Sequence, residues 1–152
     1  MEKIQSFTVN HLTLEPGLYI SRVDGDITTY DLRCKKPNTE NLMDNETMHT
    51  CEHMLATYIR NSEMGEDVIY FGPMGCQTGF YLLVRNAEHK KVIEVLKKCL
   101  ENVCAHEGEV FGASEIECGN CKTLKLSKAK EECASYLEIM KNVSEDTLIY
   151  SE

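Results

Sequence analysis

Two histidines and a glutamate fall within five residues, His49-Thr50-Cys51-Glu52-His53, and this H-x-x-E-H pattern is the strongest chemical signal in the chain. On a helix, at about 100° per residue, His53 lies roughly 40° from His49 and Glu52 about 60° to the other side, so the three share one face. Imidazoles at i and i+4 converge on a single cation, and an adjacent carboxylate is then placed to act as a base. A shuffled chain of this composition yields about 0.02 such patterns, which argues against coincidence. The competing reading is a polar helix face with solvated rings. A cation such as Zn²⁺ or Fe²⁺ needs a third protein ligand and, if catalytic, an open position. Cys118 and Cys121 are the candidate suppliers, and their spacing alone does not separate ligation by either from simple packing.

A second signal is Gly72-Pro73-Met74-Gly75-Cys76-Gln77-Thr78-Gly79, which sets one thiol on a constrained loop. Rim loops are where reactive groups meet ligands, although most free cysteines are small buried hydrophobes. A nearby positive charge favours the thiolate. His89 and His106 flank a solvent-facing helix and read as surface residues. His11 and Arg33, on predicted strands, read from the residues alone as a partly exposed imidazole and a solvated cation.

The elements that must position these groups follow from periodicity. Residues 4–34 read as an extended meander, with Phe7 and Val9 alternating and a hairpin at Asp24-Gly25-Asp26. Asp44 to Thr47 supplies a cap for a helix from His49 to about Asn61, on which Met48, Cys51, Leu55 and Ile59 recur. Strands are predicted over Asp67 to Phe71 and Thr78 to Val84, an amphipathic helix over Ala87 to Cys104, and a last helix capped by Ser127, with Cys133, Leu137 and Met140 inward. Strands first and helices interleaved predict an α+β two-layer sandwich, a mainly antiparallel sheet with helices packed on one face.

The 152 residues, 42% of them apolar, fit a single domain over 1–152. With 25 acids against 16 bases, a formal charge of −9 repels phosphate backbones and anionic lipid, so neither nucleic acid nor a membrane is an expected partner. No leader-like apolar block opens the chain and no spanning segment follows, so a cytoplasmic location is expected. The eight cysteines then read as reduced thiols, with no structural disulfide.

Taken together, His49 to His53, Pro73 to Gly79, Ser6-Phe7 with His11, Arg33 before Pro37-Asn38, and Cys118-Gly119 resemble the S-ribosylhomocysteine lyase (LuxS) family, in that order and over nearly the whole chain. The resemblance implies a homodimer with two identical sites at its interface. Each would hold one divalent metal, Fe²⁺ natively, with Zn²⁺ or Co²⁺ as substitutes. It further implies His49, His53 and Cys118 as ligands, and Glu52 and Cys76 as the acid/base pair. Ser6, Phe7, His11 and Arg33 would hold the substrate, the first three reaching in from the partner subunit. The implied reaction cleaves S-ribosylhomocysteine to homocysteine and 4,5-dihydroxy-2,3-pentanedione, the autoinducer-2 precursor, without a redox cofactor. Asn10 stands where the family carries an acidic residue, Tyr70-Phe71-Gly72 precedes Pro73 where some members carry Asp and Ser, and Cys121 has no expected counterpart. Two rival readings follow from the same residues. H-x-x-E-H is also the inverzincin peptidase signature, and a non-catalytic metal-binding or redox-sensing module would use the C-x-x-C pair as a closed site.

Overall fold

The computed structural model describes residues 1–151 and shows an α+β sandwich of four strands and three main helices. Gly17–Asp24 (β1) and Ile27–Arg33 (β2) form the first hairpin, Val68–Pro73 (β3) and Gly79–Arg85 (β4) the second. Sheet order is β1-β2-β4-β3, every neighbouring pair antiparallel. Alternation along the strands sends Leu18, Tyr30, Leu32, Phe80, Leu82 and Val84 to one face, where all are essentially buried. Asn45–Arg60 (α1), His89–Ala105 (α2) and Leu126–Met140 (α3) close over that face with Met54, Ile59, Leu96, Leu100, Tyr136 and Met140. Each such large apolar side chain contributes about 1.5 to 3 kcal/mol by leaving water, and among the described residues the three helices all pack on this one face.

Helix α1 matters most because it carries the H-x-x-E-H residues. Cys51, Met54, Leu55 and Ile59 bury one stripe, leaving His49, Glu52 and His53 half-buried on another. Asp44 caps it, accepting from the Thr47 N–H at 2.8 Å, and its other oxygen accepts from Lys128 Nζ of α3 at 2.6 Å. Lys128 first, then the Thr47 N–H, hold the Asp44 carboxyl down to about 2. A carboxyl depressed in the folded state stabilises above its unfolded value, and that contribution is lost as pH falls from the ordinary 3.8 towards 2. The side chain is 55% exposed, so solvent screens the ion pair and the cap dominates. Asp44→Ala should therefore lower stability by about 1 kcal/mol in urea unfolding at neutral pH, with the difference from the parent closing in acid. An unchanged urea midpoint at neutral pH would contradict this role.

Several elements depart from the sequence expectation. Residues 4–16 do not join the sheet: Gln5–Phe7 is a short 3-10 turn, His11 sits in a further turn, and the first strand begins at Gly17. The cause is local, since Thr8 Oγ1 donates to Gln5 O at 2.7 Å and Asn10 Oδ1 accepts from the Leu12 N–H at 3.0 Å, bonds that compete with a strand ladder. Helix α1 starts a turn earlier than His49. Ser127 is not a cap but an exposed residue in the first turn of α3; Lys125 holds the cap position and its N–H donates to Thr50 Oγ1 at 2.8 Å. Strand β3 runs on through Pro73, which an edge strand tolerates because no ladder bond is lost. His89 and His106 are not simple surface residues: their rings are half-buried, His89 Nδ1 bonded to Tyr30 Oη at 2.5 Å and His106 Nδ1 accepting from Tyr58 Oη at 2.8 Å. All eight cysteines are free thiols.

Candidate functional site

Three donor atoms from distant parts of the chain meet at the exposed edge of α1. Cys118 Sγ lies 3.5 Å from His49 Nε2 and 3.7 Å from His53 Nε2, and among the described residues His49, His53 and Cys118 are the group whose ligand atoms converge. A tetrahedral ion with ordinary Zn–S and Zn–N bond lengths holds such atoms about 3.5 Å apart. The donor chemistry fits the same class of cation, since thiolate and imidazole suit Zn²⁺, Fe²⁺ or Co²⁺ and not the oxygen-seeking Mg²⁺ or Ca²⁺.

The ring orientations are fixed from behind. His53 Nδ1–H donates to the Phe111 carbonyl at 2.8 Å, and a carbonyl can only accept. His49 Nδ1 lies 2.5 Å from Thr123 Oγ1; that hydroxyl spends its own proton on Asn120 O at 3.0 Å, so it accepts from the ring. Both rings thus carry their proton on Nδ1 and turn an Nε2 lone pair towards the sulfur, the arrangement by which carbonyl or hydroxyl partners orient metal-ligating histidines. Burial and the neighbouring His53 hold the His49 imidazole below its ordinary value, against the pull of Glu52, which keeps it a neutral donor. Cys118 Sγ in turn accepts from the Asn120 N–H at 3.4 Å.

Two segments must press against α1 for this to happen, and the sequence permits both. Gly112 has φ of +67°, a left-handed conformation glycine adopts freely, and a Cβ there would stand 3.2 Å from His53 Nδ1. Behind Cys118, the Thr123–His49 bond and the Lys125–Thr50 bond pin the 121–125 segment to the helix. Cys121 is half-buried and lines a separate surface cavity with Glu117 and Gly112; its sulfur is outside the converging group.

A second constellation surrounds Cys76, which sits exposed on the β3–β4 turn with Gln77 at φ +67°. Its Sγ is 3.0 Å from Thr78 Oγ1 and 4.0 Å from Arg33 Nη1. Arg33 is no solvated cation. It is 3% exposed, donates from Nη1 to Thr78 Oγ1 at 2.8 Å, and grips Asp31 with Nε and Nη2 at 3.1 and 2.6 Å. A fixed guanidinium therefore faces the sulfur. Glu52 stays half-buried on α1, and its charge reaches His49.

Within one chain, Ser6, Phe7 and His11 join neither group. Ser6 lines a cavity of about 290 Å³ with Ser21, Thr29 and Tyr81 on the sheet's uncovered face, Phe7 is 68% exposed, and His11 Nδ1 bonds the Val9 carbonyl at 2.9 Å. The supporting groups Thr123, Phe111 O, Gly112 and Asp31 carry no motif of their own in the sequence and emerge only from the fold, while Thr78 lies within the Cys76 loop motif without its role being marked there.

Comparison with known proteins gives a consistent result. The profile of the S-ribosylhomocysteinase (LuxS) family matches residues 4–147. Among curated proteins, the chain is 44% identical to the S-ribosylhomocysteine lyase of Finegoldia magna, covering 100% of both chains. It is likewise 44% identical to the protein of that name from Borreliella afzelii, over 99% of each chain, and to that from Clostridium acetobutylicum, over 100% of each.

Proposed function

The chain belongs to the S-ribosylhomocysteinase (LuxS) family, and from that membership we propose that it is a carbon–sulfur lyase cleaving S-ribosylhomocysteine to homocysteine and 4,5-dihydroxy-2,3-pentanedione. The observation that carries this reading is the convergence of His49, His53 and Cys118 with both histidines held in the ligating tautomer. The inverzincin reading expects a carboxylate to complete the group, and a thiol completes it here. We take the ion to be Fe²⁺ in the cell, replaceable by Zn²⁺ or Co²⁺, one per chain.

In the reaction the carbonyl passes from C1 to C2 to C3 of the ribose, each shift removing a proton beside a carbonyl, and loss of the C4 proton then expels the thiolate from C5. A divalent cation held by the three ligands supplies Lewis-acid stabilisation to the sugar oxygens as negative charge develops. Proton movement belongs to the chain's own groups. Glu52 on α1 and Cys76 on the β3–β4 turn are carried by different elements, so they can serve carbons that one group at hydrogen-bond range cannot both reach. Thr78 and Arg33 orient the Cys76 sulfur.

The site is completed by a second copy of the chain. The sheet face left bare by the helices presents Tyr81 and Leu83 with Ile4 beside them, and Tyr70 and Phe7 are exposed, an apolar surface suited to an isologous partner. Ser6, Phe7 and His11 then reach the partner's metal and thiol. This predicts subunit complementation: His11→Ala and Cys76→Ala are each inactive alone, yet co-refolded in equal amounts they regain about a quarter of wild-type activity. Half the dimers are then mixed, each with one intact site. No recovery on mixing would show that each chain builds its site alone. We place the protein in the cytoplasm; among the described residues no helix is long and apolar enough to cross a membrane.

The direct test of the activity is to incubate the metal-loaded protein with S-ribosylhomocysteine and titrate new thiol. Stoichiometric homocysteine release is expected; peptide hydrolysis without thiol release would favour the peptidase instead.

A further inference from the structure

Asp31 and Arg33 alternate along β2 with the core residues Tyr30 and Leu32, so they project from the face that no helix covers, yet they are 0% and 3% exposed. The end of the chain packs on this face beside Asp31. Leu148 is buried in the core, and its carbonyl accepts from the Ile20 N–H of edge strand β1 at 2.7 Å. Two residues later Tyr150 stacks on Tyr19, ring centroids 4.8 Å apart at 21°, on the opposite face. The tail thus wraps the β1 edge, one side chain on each side. Tyr150 Oη donates to Asp31 Oδ2 at 2.6 Å, the same oxygen that accepts from Arg33 Nη2. Burial, with the Asp31 charge adding to it, keeps the Tyr150 phenol far above its ordinary range, so the hydroxyl stays a donor.

An unbroken run of hydrogen bonds therefore links Tyr150 through Asp31, Arg33 and Thr78 to the Cys76 sulfur. A carboxylate turns easily about its last torsion, and only one orientation offers both oxygens to the guanidinium fork. We propose that Tyr150 is a positioning residue for Cys76: its hydroxyl locks the Asp31 carboxylate, which sets the Arg33 guanidinium against the thiol. Tyr150 lies beyond residues 4–147, the span matched by the family profile. The importance of Cys76 to turnover rests on the lyase reading above; its positioning does not.

The test uses full-length, metal-loaded protein with Tyr150→Phe, which keeps the stacked ring and removes only the hydroxyl. Metal content should match wild type, and Tm should fall by no more than the few degrees that one lost buried hydrogen bond costs. Alkylation of Cys76 by iodoacetamide, followed by peptide mass without substrate, should slow roughly tenfold, and kcat should fall by a similar factor. Tyr19→Phe, which keeps the stack and has no bond to Asp31, should alkylate at the wild-type rate. Wild-type alkylation of Cys76 in Tyr150→Phe would overturn the proposal, as would equal slowing in Tyr19→Phe. A wild-type protein that releases no thiol would overturn the lyase reading and leave the alkylation comparison intact.

Discussion

Glu52→Gln and Cys76→Ala should each keep one metal per chain and lose homocysteine release by about 10²- to 10⁴-fold, the usual worth of a positioned proton carrier. Glutamine has the shape of glutamate but cannot accept the proton, so any loss reports chemistry rather than packing. Glu52 is no member of the converging ligand group, which leaves the metal in place. Cys76 is exposed on a turn, and its removal leaves Arg33 bonded to both Asp31 and Thr78. Stability should therefore change little. Metal analysis together with thiol titration checks both variants; wild-type-like turnover in either would remove that residue from the mechanism.

Removal of a ligand should act through the opposite pair of observables. Cys118→Ser and His53→Ala are expected to purify with little metal and to show only background turnover, since two remaining ligands hold such ions far more weakly. An ion that binds only the folded state stabilises it by mass action, so both variants should melt at the temperature of chelator-treated wild type and gain nothing on metal addition. They should still fold, because the 121–125 segment is tied to α1 through Thr123 and Lys125 whether or not an ion is present. Full metal retention in Cys118→Ser would transfer the third ligand elsewhere, with Cys121 the first candidate. Unchanged metal content in Cys121→Ala is the matching expectation.

Why some of this was legible in the sequence is a matter of range. Helical spacing of Cys51, Leu55 and Ile59 exposes the H-x-x-E-H face directly, and the run from Thr78 to Val84 behind the Gly-Pro loop marks β4, because both patterns are local. The choice between Cys118 and Cys121 is not local. It depends on how the 112–125 segment docks on α1, through Gly112 and through Thr123, which the sequence marks in no way. Residues 4–16 misled for the reverse reason: Phe7 and Val9 alternate like a strand, while Asn10 and Thr8 satisfy the backbone locally. Arg33 misled because its burial accompanies bonds to Thr78, 45 positions away in the chain, and to an Asp31 that itself bonds Tyr150.

Carbon–sulfur cleavage should require one divalent ion per chain, bound by two imidazole nitrogens and one thiolate. Elemental analysis of protein purified anaerobically, with turnover assayed on the same sample, measures this most directly. Activity should rise in proportion to metal content and reach its maximum at one ion per chain. Fully active protein with no bound transition metal would contradict it.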